Sequence, residues 1–243
     1  MPHAVSLLRA ARLARSAKPF LARGGSTRPR CEGCRLVPSH CLCALRRALP
    51  TRAGVCLLMA DIEPLKPTNT GWLVADVVSD TFAFGWARTE VDPGLLALLA
   101  DPQWQPFVVF PAEYAAPGRV VRSVPLAGGR RPLFILLDAT WNEARKMFRR
   151  SAYLDRFPVL GLAPEQVSRY VLRRSRRDDH FCTSEVASLC LELAGEARAA
   201  GALEAWLDVF THHYVQARHQ LPFDPDGDAH RRLRELQAQY APM

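Results

Sequence analysis

A chain of 243 residues that is 49% hydrophobic and 23% charged has material for one large α/β domain, or for a domain with a small appendage, and excludes disorder as the default state. No apolar run approaches the roughly 18 uncharged residues needed to cross a bilayer, so a soluble protein without a membrane partner is expected. The net charge of +8 is segregated: residues 1–54 hold eleven Arg/Lys against one acid and 119–177 hold fourteen against four, whereas 55–118 and 178–243 are each acidic by six charges. Two basic blocks set between acidic ones favour a phosphate backbone as partner, with a solvated Arg-rich surface as the plain alternative.

In chain order, residues 1–30 come first. Arg9, Arg12 and Arg15 recur at helical spacing beside a partial apolar stripe of Val5, Leu8, Ala11 and Leu13. This predicts a basic helix and a linker, docked on the body or lying along a polyanion. The same arginines interrupt any secretory apolar region, which makes a reducing, cytoplasmic location the expectation.

Residues 31–50 carry Cys31-x-x-Cys34 and Cys41-x-Cys43, four thiols within thirteen residues. Two sharp turns can aim all four at one tetrahedral ion, and Zn2+ is the leading reading, with disulfides or an iron–sulfur cluster as alternatives. With Leu36, Val37 and Leu42 as its sizeable apolar residues, the segment has little core of its own, so metal binding would also drive its folding. Four thiolates leave no open coordination position, so the role is structural.

The body, 54–220, alternates in pattern: strand 55–60, helix about 69–78, strand about 81–85, helix about 93–100, strands 106–110 and 132–137, helix 141–150, strand about 157–161, then helices near 184–199 and 203–218. Short continuous apolar strands between amphipathic helices argue for an α/β fold with a mostly parallel sheet covered on both faces. Cys56 and Cys190 read as buried, inert thiols. His212 and His213, on consecutive helix faces, read as surface residues. A tail over 221–243 opens with a turn-rich break and closes with a short helix over 229–240.

In parallel sheets ligands bind beyond the carboxyl ends of the strands, which singles out Asp61, Pro111 and Asp138. Asp61 and Glu63 open a loop that runs to Asn69, Thr70 and Gly71 at a helix start. Thr183-Ser184-Glu185 opens another, with Thr183 or Ser184 as its N-cap and Glu185 favourable at the positive end. Thr140-Trp141-Asn142-Glu143 fits a capping box, which explains Thr140 and Glu143 but not Asp138 at the end of an apolar strand. Trp141 shares a helix face with Ala144 and Phe148, so packing and base stacking both remain open for it. Arg145/Arg149 and Lys146/Arg150 form basic i,i+4 pairs on the other faces and predict an anionic partner. Glycine-rich dinucleotide and P-loop motifs are absent, as is a Gly-x-Ser-x-Gly elbow.

Asp138-Ala139-Thr140-Trp141, continuing as Asn142-Glu143-Ala144-Arg145-Lys146-Met147, resembles the Asp-x-Thr-Trp signature of the DTW-domain family, part of the SPOUT-related TDD superfamily. The cysteine cluster, Pro67-Thr68-Asn69-Thr70-Gly71 and Thr183-Ser184-Glu185 resemble that family too, over roughly residues 8–220. The similarity is greatest to its bacterial tRNA-uridine aminocarboxypropyltransferase branch. The resemblance implies a SPOUT-like fold, a class that includes knotted members, and transfer of the 3-amino-3-carboxypropyl group of S-adenosylmethionine to N3 of a variable-loop uridine in tRNA, releasing methylthioadenosine. It implies catalytic roles for Asp138, Thr140 and Trp141. The donor would be held by Asp61, Glu63, Asn69, Thr70, Pro111, Leu136, Asp138, Thr183, Ser184 and Glu185, and tRNA phosphates by Arg145, Lys146, Arg149 and Arg150. A monomer is favoured. Ala139 stands where many members carry glycine, so no left-handed backbone is needed there.

Overall fold

The computed structural model describes residues 2–17, 20, 28–125, 129–162 and 181–239. Its centre is a parallel sheet of six strands among those residues: β1 (Gly54–Met59), β2 (Thr81–Gly85), β3 (Trp104–Val109), β4 (Val120–Val121), β5 (Arg131–Asp138) and β6 (Val159–Leu160). They lie in the order β2-β1-β5-β3-β6-β4. The fifth strand, β5, thus enters between the first and third and occupies the centre, with Met59 of β1 registered beside Asp138 of β5.

Every residue of β1 is buried, because helices cover both faces. The side-chain period of two sorts them into two cores. Val55, Leu57, Met59, Phe134 and Leu136 face one layer, formed by α2 (Gly71–Val77), α5 (Thr183–Leu193) and α6 (Ala197–His219). Cys56, Leu58, Leu133 and Ile135 face the other, formed by α3 (Pro93–Ala100) and α4 (Trp141–Arg150). The inner side of α4 supplies Ala144, Met147 and Phe148 to that second core. Asp138 shares the parity of Phe134 and Leu136, so its side chain is directed to the α2/α5 layer.

The N-terminal helix α1 (Ala4–Ala14) docks on the body. Val5 is fully buried, His3 meets the Trp72 ring edge-on, and Arg12 grips Asp61 through both carboxylate oxygens at 2.7 and 2.8 Å. The cysteine segment is built into the same body, since Cys34, Leu36 and Leu42 are buried in the α2/α6 core. The last helix, α7 (Asp228–Gln239), packs on α6.

Three local expectations are corrected. The helix read as 184–199 ends at Leu193, because Gly195 adopts φ 78° and lets the chain turn before α6 begins at Ala197. The N-cap of α5 is Cys182, not Thr183 or Ser184: the Cys182 backbone N–H donates to Glu185 at 2.8 Å, which places Thr183 one residue inside the helix. His213 is buried, not on the surface, and its partners come from elements far away in sequence. It contacts the His40 carbonyl at 3.0 Å and His230 Nε2 on α7 at 2.9 Å. The carbonyl can only accept, so His213 Nδ1 carries the proton and its Nε2 accepts from His230. Burial lowers the His213 pKa to about 4, so the ring is neutral near pH 7. The path of residues 163–180, between β6 and α5, bears on the implied knot and lies outside the described residues.

Candidate active site

Asp138 ends β5 and is almost wholly buried, at 1% exposure. Two side chains from other elements donate to it: Asn69 Nδ2 to one oxygen at 2.7 Å and Thr183 Oγ1 to the other at 2.7 Å. The carboxylate plane is therefore fixed from both sides. Asn69 precedes α2, and its side-chain Oδ1 accepts from the Trp72 backbone N–H at 3.0 Å, so one side-chain amide both caps the helix and holds Asp138. Its amide nitrogen also lies 3.3 Å from Glu63 Oε2. Glu63 is fully buried and ion-paired with Lys66. A Cβ at Gly71 would come within 2.5 Å of Asp138 Oδ2, so only glycine lets α2 begin against the carboxylate.

From α5, the Ser184 backbone N–H donates to Thr70 Oγ1 at 3.4 Å, which joins the starts of α2 and α5. Ser184 is itself fully buried, and its hydroxyl has no hydrogen-bond partner among the described residues. Glu63, Asn69, Thr70, Asp138, Thr183, Ser184 and Glu185 thus converge at one end of the sheet, from three separated stretches of sequence.

Other strand-end residues are placed differently. Asp61 is turned to the surface, where the Arg12 guanidinium, chiefly by hydrogen bonding, holds its carboxyl below the usual range. Leu136 is buried within β5 and Pro111 follows β3. Thr140 and Glu143 form the capping box of α4: the Thr140 backbone N–H donates to Glu143 at 3.0 Å, and its hydroxyl donates to the same oxygen. Trp141 is packed, with Phe110 stacked on it at 5.6 Å and Tyr114 edge-on at 5.8 Å. Lys146, Arg149 and Arg150 are exposed on the outer side of α4, while Arg145 is partly buried and donates to Asn142 at 2.9 Å.

The four clustered thiols meet as the spacing predicts. Their sulfurs lie within 4.8 Å of one another, with neighbouring separations of 3.5, 3.6 and 3.7 Å. A tetrahedral zinc with Zn–S bonds of about 2.3 Å requires sulfurs about 3.8 Å apart, so the donor set fits that ion with little adjustment. Cys31, though partly desolvated, is held at about 7 by the Cys34 and Gly33 backbone and the neighbouring thiols, while burial pushes Cys34 up to about 11. The isolated thiols are of another kind: Cys56 is fully buried and pushed up to about 12 by desolvation alone, and desolvation raises Cys190 likewise.

Sequence reasoning missed Arg35 and Trp72. Arg35 has φ 65°, and its guanidinium lies 4.4 Å over the Trp72 ring. No period or motif signals such a stack, although an arginine directly after Cys-x-x-Cys in a segment with little core was a place to look.

Among the described residues no helix is long and apolar enough to cross a membrane. No solved structure matches the chain. A family model for the DTW domain matches residues 28–215, a span that takes in the thiol cluster, the Asn69 loop, the end of β5 and the start of α5. That domain is associated with tRNA-modifying enzymes. The signature at 138–141, its position at the end of the central strand and the match over most of the chain agree, and the protein belongs to the DTW-domain family.

Proposed function

We propose that the protein transfers the 3-amino-3-carboxypropyl group of S-adenosylmethionine to N3 of a uridine in the variable loop of tRNA, as in the bacterial aminocarboxypropyltransferase branch that its sequence resembles. The observation that carries this reading is the Asp138 carboxylate, held between Asn69 and Thr183 at the carboxyl end of the central strand, where parallel sheets bind their ligands.

A sulfonium makes each of its attached carbons electrophilic, so the protein has to select which carbon meets the acceptor. Selection of the γ-carbon calls for a grip on the amine and carboxylate of the methionyl chain. Buried Glu63 and Glu185 suit a cationic amine, and the Ser184 hydroxyl offers a donor for a carboxylate. In the transfer, the bond from uracil N3 to the γ-carbon forms as the carbon–sulfur bond breaks. The bonding pair stays on sulfur, giving methylthioadenosine, and the N3 proton passes to Asp138. Thr140 supports the reaction by capping α4, and Trp141 by stacking on Phe110 beneath the strand end. Lys146, Arg149 and Arg150 bind tRNA phosphates from the outer side of α4. Zinc on Cys31, Cys34, Cys41 and Cys43 is structural. The protein acts in the cytoplasm, as a monomer.

Incubation with tRNA and donor labelled separately in the methyl and carboxyl groups tests the reading. Carboxyl label alone is expected in the RNA. Methyl label in the RNA would make the protein a methyltransferase, and failure to bind the donor would leave a zinc-containing RNA-binding protein.

A further inference from the structure

Between the second and third cysteines of the knuckle the chain carries Arg35, which is 2% exposed although its side chain is cationic. Its guanidinium reaches out of the knuckle into the loop before α2, where it donates to the Lys66 carbonyl at 2.9 Å and to the Asn69 carbonyl at 3.0 Å. It lies 4.4 Å over the Trp72 ring, whose indole N–H in turn donates to the Gly33 carbonyl at 3.1 Å. Knuckle and loop are therefore tied in both directions. The Lys66 carbonyl also accepts from the Asn69 backbone N–H at 3.0 Å, so Arg35 braces both ends of the turn that aims the Asn69 side chain.

We propose that Arg35 is a positioning residue for the active site. Through the Lys66 and Asn69 carbonyls it fixes the Asn69 amide against Asp138, so that the folded knuckle sets the alignment of the carboxylate. The planar guanidinium suits this task, because one group bridges two carbonyls and stacks on an indole, which a lysine ammonium does not. The backbone supports the assignment. At φ 65° a glycine would make the turn without strain, so the turn itself has no need of an arginine.

The proposal rests on the aminocarboxypropyl-transfer reading for its kinetic arm alone. Arg35→Gly keeps the turn and deletes the brace; Arg35→Lys keeps a charge but loses the bridge. Both full-length variants, loaded with Zn2+, are expected to retain one metal ion. Backbone amides of 66–72 should exchange hydrogen faster than in the parent protein, while those of β5 exchange as before. Turnover should fall roughly 10- to 100-fold, with KM for tRNA unchanged. In an Asn69→Ala background, where the aimed amide is gone, Arg35→Gly should remove little further activity, whereas a merely structural role would give the same factor in both backgrounds.

Unchanged exchange at 66–72, equal losses in the two backgrounds, or loss of the metal from Arg35→Gly would each overturn the proposal. Faster loop exchange in a protein whose parent form transfers no label would support Arg35 as the brace and remove the transfer reading instead.

Discussion

Helices α4 and α5 start alike and serve differently. Each opens with a glutamate three residues after its N-cap, Glu143 after Thr140 and Glu185 after Cys182, and each glutamate accepts from the N-cap backbone N–H. At α4 the N-cap is itself the threonine, and its hydroxyl is spent on Glu143 at an exposed helix end. At α5 the N-cap is a cysteine, so the threonine stands one residue further on and its hydroxyl reaches Asp138. A shift of one residue moves a threonine from scaffold to site. The threonine of the signature Asp138-Ala139-Thr140-Trp141 therefore belongs to the frame, and the threonine that touches the central carboxylate comes from a helix 45 residues later.

Substitutions at the two starts can break this contrast. Asp138→Asn should have the largest effect, a loss of about 100- to 10,000-fold in transfer, the range of a lost general base. It also sets an amide donor against a site arranged by Asn69 and Thr183, at a stability cost of about 1–3 kcal/mol, readable in urea denaturation. Thr183→Val keeps the shape and removes one donor. Transfer should fall roughly 10- to 100-fold, with about 1 kcal/mol of stability lost.

Thr140→Ala should do the reverse. It costs about 1 kcal/mol in the melting or denaturant midpoint while transfer at saturation stays near the parent rate. A larger kinetic loss for Thr140→Ala than for Thr183→Val would invert the assignment of the two threonines. The smallest effect belongs to Arg149→Gln and Arg150→Gln on the exposed side of α4. Each should weaken tRNA binding and lower the salt dependence by about one unit per phosphate contact, with no change in rate at saturating RNA.

Much of this frame was legible in the sequence. Strands buried on both faces read as unbroken apolar runs, so β1 and β5 were visible as strands over 55–60 and 132–137, and a carboxylate at the end of such a run stood out. The four-thiol spacing and the α4 capping box were local patterns, complete within thirteen residues or fewer.

What escaped depended on partners remote in sequence or on unusual local chemistry. Asp61 was read with the ligand-binding loop, but Arg12 of α1 claims it from 49 residues away. His213 looked like a surface residue because its partners, His40 and His230, lie on other elements. Cys182 was passed over as a cap because thiols are poor side-chain caps, yet here its sulfur accepts from the Glu185 backbone N–H while the Glu185 side chain accepts from the Cys182 N–H. Arg35 is signalled by no periodicity, since its effect is exerted through two carbonyls and an indole face.

Asp138, held in place by Asn69 and Thr183, is the proposed chemical centre. Single-turnover transfer from carboxyl-labelled S-adenosylmethionine by Asp138→Asn, at saturating tRNA and with tRNA affinity measured in parallel, tests it most directly. A folded protein that binds tRNA as the parent does but passes label to it at least about 100-fold more slowly is expected; label transferred at the parent rate would remove Asp138 from the chemistry.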